Sequence, residues 1–216
     1  MSSRDEPATR DDRATADPPS KVGGRGVCVW LTGPSGAGKS TVTEELLPLL
    51  DACGRTVSVL DVVPVLRKLP CERTSEGKLL RKAFVAGEVA RHGGIAICVT
   101  VSARRSVREA ARELIGPDRF LEVLVEAPQD LTSARKAARG RRPSPSKRAK
   151  RALAPFAARV LFRGRVAYEA SAEPDLRIDT SREAPADGAR AIFDLLVERG
   201  FVVSDPTVSS SRYSAR

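Results

Sequence analysis

The run Gly33-Pro34-Ser35-Gly36-Ala37-Gly38-Lys39-Ser40 constrains this chain more than any other feature. It satisfies G-x-x-x-x-G-K-[ST], the pattern of a loop that wraps the phosphates of a nucleoside triphosphate. So short a pattern also arises by chance, so its setting decides. Val27 to Thr32, just before it, is an apolar run of the kind found in strands buried on both faces of a parallel sheet. Ser40 to Ala52, just after it, carries Val42, Leu46, Leu47, Leu49 and Leu50 in a helical pattern. Between such a strand and such a helix, successive backbone N–H groups form an anion nest, and the helix adds its positive end. Gly33, Pro34, Ser35, Gly36, Ala37, Gly38, Lys39, Ser40 and Thr41 are therefore the expected ATP-binding residues. Lys39 is expected to reach the β- and γ-phosphates and to act in catalysis, and the Ser40 hydroxyl to ligate Mg²⁺.

The alternation continues along the chain. Thr56–Leu60, Ile95–Val101, Phe120–Val125 and Leu176–Ile178 read as further strands. Glu76–Arg91, Ser106–Leu114, Pro128 to about Arg139, and Pro185–Arg199 read as helices, with Gly93-Gly94 and Gly200 closing two of them. This order predicts an α/β fold: a parallel sheet of about five strands with helices on both faces, the three-layer arrangement of P-loop nucleotide kinases. Residues 22–203 are expected to form that domain, with 140–167 as a basic lid segment. The polar residues 1–21 and the Ser-rich residues 204–216 are expected to be disordered tails.

Composition narrows the function classes. No apolar run approaches the roughly 18 to 20 residues of a membrane span, and the N-terminus lacks the apolar region of a secretory signal. A cytoplasmic protein is expected. Cys28 and Cys98 lie in apolar runs, Cys53 and Cys71 stand alone, and His92 is the only histidine, which argues against a Cys/His metal centre or a disulfide framework. The net charge of +10 is local: residues 131–168 hold twelve Lys or Arg and no acid, while the rest holds 25 basic and 27 acidic residues. A basic lid near a phosphate-handling site accounts for it. An arm that docks nucleic acid or an acidic partner is the less favoured alternative.

Two sheet-edge positions stand out. Asp61 follows the second strand, at the carboxyl edge where open α/β sheets bind ligands. A carboxylate there can orient Mg²⁺ waters or accept a proton from an attacking hydroxyl, or it can simply cap a turn. The third strand ends at Ser102 rather than at an aspartate, which argues against a motor ATPase or a GTPase.

With these residues placed, the chain resembles the adenylylsulfate kinase (APS kinase) family. Four stretches carry the resemblance. Val29–Thr41 is close to V-W-L-T-G-L-S-G-[AS]-G-K-S-T, Ser102–Leu114 to S-P-[YF]-R-x-x-R-x-x-[AV]-R-x-L, and Arg119–Pro128 to R-F-[IL]-E-V-x-V-x-x-P. Tyr168-Glu169, Pro174-Asp175-Leu176 and Ile178-Asp179-Thr180 match Y-E…P-D-L-x-[IL]-D-T. The likeness runs from about residue 25 to 202. It implies Mg²⁺-dependent transfer of the ATP γ-phosphate to the 3′-hydroxyl of adenosine 5′-phosphosulfate (APS), giving PAPS, by a protein that is usually a homodimer with a mobile lid. By the same resemblance Asp61 matches the first Asp of the family's D-G-D, Arg105 and Arg108 lie near the substrate's anionic groups, and Arg135 lies near the ATP base. Phe162 and Gly164 look like its F-T-G, so that Phe162 stacks on the substrate adenine or else packs within the lid.

The departures cluster in the acceptor half. D-G-D becomes Asp61-Val62-Val63, and Ser-Pro-Tyr becomes Ser102-Ala103-Arg104. The family's D-R-x-x-N-I-R-R aligns with Ser75–Lys82, so Glu76 replaces an arginine and Leu79 an asparagine. The lid's K-G-L-Y and I-D elements give way to the Pro- and Arg-rich segment. These changes leave two alternatives beside APS phosphorylation: a kinase of another hydroxyl acceptor, or a weakly catalytic nucleotide-binding module with a basic docking arm.

Overall fold

Burial sets the order of the layers. In the computed structural model, which describes residues 25–60, 74–140 and 168–203, every residue of β1 (Val27–Thr32) is buried. Its side chains alternate, so one strand feeds two cores. Val27, Val29 and Leu31 meet α1 (Lys39–Ala52) and the last helix, α5 (Pro185–Glu198), through Val42, Leu46, Leu50, Ile192 and Leu196. Cys28 and Trp30 meet the opposite helices, α2 (Ser75–Arg91) and α3 (Arg105–Ile115), through Ala83, Ala86, Ala111 and Ile115. On that face Trp30 lies against Phe120, ring centroids 5.8 Å apart.

Around β1 the sheet adds β2 (Val57–Val59), β3 (Ile95–Val99), β4 (Phe120–Glu126) and β5 (Leu176–Asp179), in the order β2-β3-β1-β4-β5 and parallel throughout. The α/β, three-layer architecture is the expected one. In such a sheet the chain reverses direction of travel beside its central strand, and ligands sit outside the carboxyl ends there. β1 is that strand, flanked by β3 and β4, and the P-loop leaves its carboxyl end.

Element ends carry local reasons. Thr74 caps α2, its hydroxyl accepting from the Gly77 N–H at 3.0 Å. Gly116, at φ 104°, closes α3. β3 stops at Val99, two residues before the expected Val101. The Thr100 N–H still reaches the Leu31 carbonyl at 3.0 Å, but Val101 turns outward and is 43% exposed. α4 (Gln129–Gly140) opens the stretch that the sequence marks as a lid. Asp61, Phe162, Gly164, both tails and most of the basic segment lie outside the described residues. Among the described residues no helix is long and apolar enough to cross a membrane.

Candidate functional site

The P-loop is held tightly from behind. At Gly33, φ is 137°, and an added Cβ would lie 1.9 Å from the Val125 carbonyl oxygen, far closer than van der Waals contact allows. Gly38, at φ 99°, ends the loop, and a Cβ there would press on the Thr180 side chain at 3.2 Å. Both positions require glycine, by backbone conformation and by close approach. α1 then begins at Lys39 with no side-chain cap, so its first N–H groups face the loop mouth. Lys39 is 7% exposed, and its ammonium donates to the carbonyls of Gly33 at 2.8 Å and Pro34 at 2.9 Å. It thus lies across the loop. Ser40 and Thr41 follow at the half-buried helix start. A backbone cradle, a lysine and a hydroxyl are a donor set that suits the polyphosphate of ATP and a phosphate-bound Mg²⁺. Among the described residues no group of three His, Cys, Asp or Glu forms a metal cage. Mg²⁺ at nucleotide sites relies mostly on phosphates and waters instead.

Thr180, just past β5, ties the loop to the lid side. Its hydroxyl donates to the Ala37 carbonyl at 2.8 Å, while Arg135 on α4 donates to the Thr180 hydroxyl at 2.9 Å and carbonyl at 3.1 Å. Arg135, which the resemblance assigns to the ATP base, is therefore beside the P-loop and is joined to it through a residue to which the sequence reading gave no role. The signal was present: in a parallel sheet the end of β5 meets the same edge as the end of β1.

Next to the loop, a chain of hydroxyls is buried where a strand-end aspartate is absent. Thr32 Oγ1 lies 2.7 Å from Ser102 Oγ and 3.0 Å from the Tyr168 hydroxyl, and Trp30 Nε1 donates to Ser102 Oγ at 3.1 Å. Ser102 holds φ 25°, a left-handed value that costs a non-glycine residue energy and clusters at functional sites. Burial pushes the Tyr168 hydroxyl above its ordinary pKa of 10, against the hydrogen bond with Thr32 and the Arg108 charge, which lower it. Ser102 also lines a cleft of about 430 Å³ between the first turn of α2 and the start of α3. Lys82 fixes a positive charge nearby, its buried ammonium donating to the Val99 carbonyl at 3.0 Å.

The arginines from the N-cap of α3 onward divide between two clefts. Arg104 faces the cleft beside Ser102. Arg105 and Arg108, the pair that the resemblance places near the substrate, line a second cleft of about 390 Å³ with Arg112, Glu122 and Asp175. Arg108 is 2% exposed. It pairs with Glu122 at 2.9 Å and donates to the carbonyls of Ser102 and Glu169, each at 2.6 Å. Ser171 joins the same pair, bonded to both Arg108 and Glu122. The Arg105 N–H meets the Glu169 carboxylate at 2.8 Å. The structure therefore puts Arg135 beside the loop that carries Lys39 and Ser40, ties Arg108 to the Ser102 carbonyl, and directs the Arg105 guanidinium to the Ala170 carbonyl. No pattern in the sequence distinguishes a bracing arginine from a binding one, because Glu122 is a distant residue on β4.

Comparison with known proteins places this geometry. The sequence profile of the adenylylsulphate kinase family matches residues 25–141, more than half of the chain. The chain is 32% identical over 187 residues to the probable adenylyl-sulfate kinase of Pyrococcus abyssi, an alignment covering 82% of this chain and 98% of that protein. It is 42% identical over 109 residues to the adenylyl-sulfate kinase of Microcystis aeruginosa, covering 48% of this chain and 59% of that protein. Among solved structures it resembles the Mycobacterium tuberculosis APS kinase in complex with AMPPNP and APS, at 25% identity and a TM-score of 0.61, over 81% of this chain and 99% of that one.

Proposed function

The chain belongs to the adenylylsulphate kinase family, and we propose that it transfers the γ-phosphate of ATP to the 3′-hydroxyl of adenosine 5′-phosphosulfate, giving PAPS. The observation that carries this reading is the juxtaposition of two sites on one sheet edge. The P-loop follows β1, and the cleft beside Ser102 follows β3, the strand hydrogen-bonded to β1. A donor and an acceptor held there would meet edge to edge, which is the arrangement that phosphoryl transfer requires.

In this reading the P-loop N–H groups and Lys39 hold the β- and γ-phosphates, and Arg135 flanks the base. The bond from the γ-phosphorus to the β–γ bridging oxygen breaks, and its electrons remain on ADP. A new bond forms to the acceptor oxygen, whose proton must leave. Leu60 bonds to the Ile97 carbonyl at 2.8 Å, so the chain passes the sheet's carboxyl edge immediately before Asp61. Asp61 is our candidate for taking that proton, and Phe162 for stacking on the acceptor adenine. Ser40 Oγ would hold a phosphate-bound Mg²⁺, which when bound would neutralise charge that develops on the transferred group. Arg108 serves the acceptor indirectly, by fixing the Ser102 turn. Assembly as a homodimer in the cytoplasm belongs to the same reading.

Product identity tests it. ATP, Mg²⁺ and adenosine 5′-phosphosulfate are incubated with the protein, and the nucleotides are separated by mass. A species heavier by one phosphoryl group and carrying it on the 3′-oxygen is the expected result. Hydrolysis of ATP with the acceptor unchanged would overturn it.

A further inference from the structure

The cleft beside Ser102 has two walls: the first turn of α2, with Glu76, Lys78 and Leu79, and the turn into α3, with Ser102, Arg104 and Val107. Its charged lining among the described residues is Glu76, Lys78 and Arg104. Arg104 and Glu76 stand on opposite walls, and Arg104 Nη1 reaches Glu76 Oε1 at 2.7 Å. Roughly half of each side chain is exposed, 52% and 47%. An ion pair so exposed adds little to folding. The two helices also meet elsewhere, through the buried Ala83, Ala86, Ala111 and Ile115. A role as a strut therefore explains little.

The base under Arg104 is rigid by contrast. Ser102 holds its left-handed φ under the Arg108 bond to its carbonyl, and the next N–H, that of Arg105, is bonded to Glu169. The guanidinium thus rises from a fixed turn into a cleft of substrate size. One exposed carboxylate holds it there, and a stronger anion can replace that carboxylate. A guanidinium offers paired N–H groups that match phosphate and sulfate oxygens better than a lone ammonium does.

We infer that Arg104 is a specificity-determining residue of the acceptor cleft, binding the anionic end of the acceptor, with Glu76 as the internal counter-ion that the acceptor displaces. This rests on the phosphotransferase reading above and adds the acceptor's charge to it. Glu76 then works as a filter. An acceptor with a phosphate or phosphosulfate group outcompetes it, and an uncharged hydroxyl compound does not. The two partners should consequently have opposite effects on binding, whereas a strut would give both the same sign.

The test uses the full chain and titration calorimetry with adenosine 5′-phosphosulfate and with adenosine, beside steady-state kinetics for the former. Arg104→Ala is expected to weaken phosphosulfate binding and raise its KM about 10- to 100-fold, leaving adenosine binding and the KM for ATP unchanged. Arg104→Lys should recover part of the loss. Glu76→Gln should tighten phosphosulfate binding about threefold or more, and the double variant should behave as Arg104→Ala alone. An unchanged KM in Arg104→Ala, or a Glu76→Gln that weakens binding as Arg104→Ala does, overturns the inference. Turnover by the unaltered protein with no effect of Arg104→Ala leaves the phosphotransferase reading standing and removes only this one. Neither binding nor turnover by the unaltered protein removes both.

Discussion

The hydroxyl of Thr32 shows how much of this site rests on single residues. It contacts Ser102, Tyr168 and the Val101 carbonyl, so it joins the end of β1 to the turn that shapes the acceptor cleft. Tyr168 is the titratable member. Its pKa is raised, so the folded state keeps a proton that the unfolded chain has lost above pH 10. The contribution is full below that pH and falls away as pH rises through the folded pKa. Denaturation midpoints should therefore drop as pH rises above about 10, and Tyr168→Phe should drop less. Arg108 is the second case. Removing it strands Glu122, which is 6% exposed, and a broken buried pair costs about 3 to 5 kcal/mol. Chemical denaturation of Arg108→Ala should show that loss, with acceptor KM rising because Ser102 loses its brace. The place of the P-loop between β1 and α1 was legible because the motif is local. The role of Arg108 was not, because its meaning depends on Glu122 and Ser171, which lie far along the chain.

Among the elements, the strands were legible for the same reason that they are buried. A parallel strand covered on both faces reads as an unbroken apolar run, and β1 was anticipated to the residue. β3 was not, since Thr100-Val101-Ser102 continues the composition of a strand. What ends it is tertiary: Ser102 is pulled into the hydroxyl chain and Val101 turns to solvent. The link between β5, the P-loop and α4 is of the same kind. Thr180→Val keeps the shape and the backbone bond to Arg135 but loses the two bonds of the hydroxyl, one to the Ala37 carbonyl and one from Arg135. Each lost hydrogen bond is worth about 1 kcal/mol, so the KM for ATP should rise about 3- to 30-fold, while that for the acceptor should barely move. Equal changes in both would place Thr180 outside the ATP half.

For the molecule as a whole, two sites share one sheet edge, and binding at either should steady the fold. ATP with Mg²⁺ at a hundred times its Kd should add about 2.7 kcal/mol, a rise in Tm of roughly 5 to 10 °C for a chain of this size. The shift should shrink in Lys39→Ala. The balance of charge points the same way. The excess of cations lies within residues 131–168, directly after the strand that backs the P-loop, and not over the whole surface. The fold class followed from the alternation of strands and helices and from the P-loop. The clefts did not, because they are made by turns whose neighbours are set only by packing. The central claim is phosphoryl transfer from the P-loop to an acceptor in the cleft beside Ser102. It is tested most directly by measuring ADP formation with Mg²⁺-ATP, with and without adenosine 5′-phosphosulfate, in the unaltered protein and in Lys39→Ala. The account predicts ADP formation that depends on the acceptor and falls by about two to three orders of magnitude in the variant. ADP formation indifferent to the acceptor, or undiminished in Lys39→Ala, would contradict it.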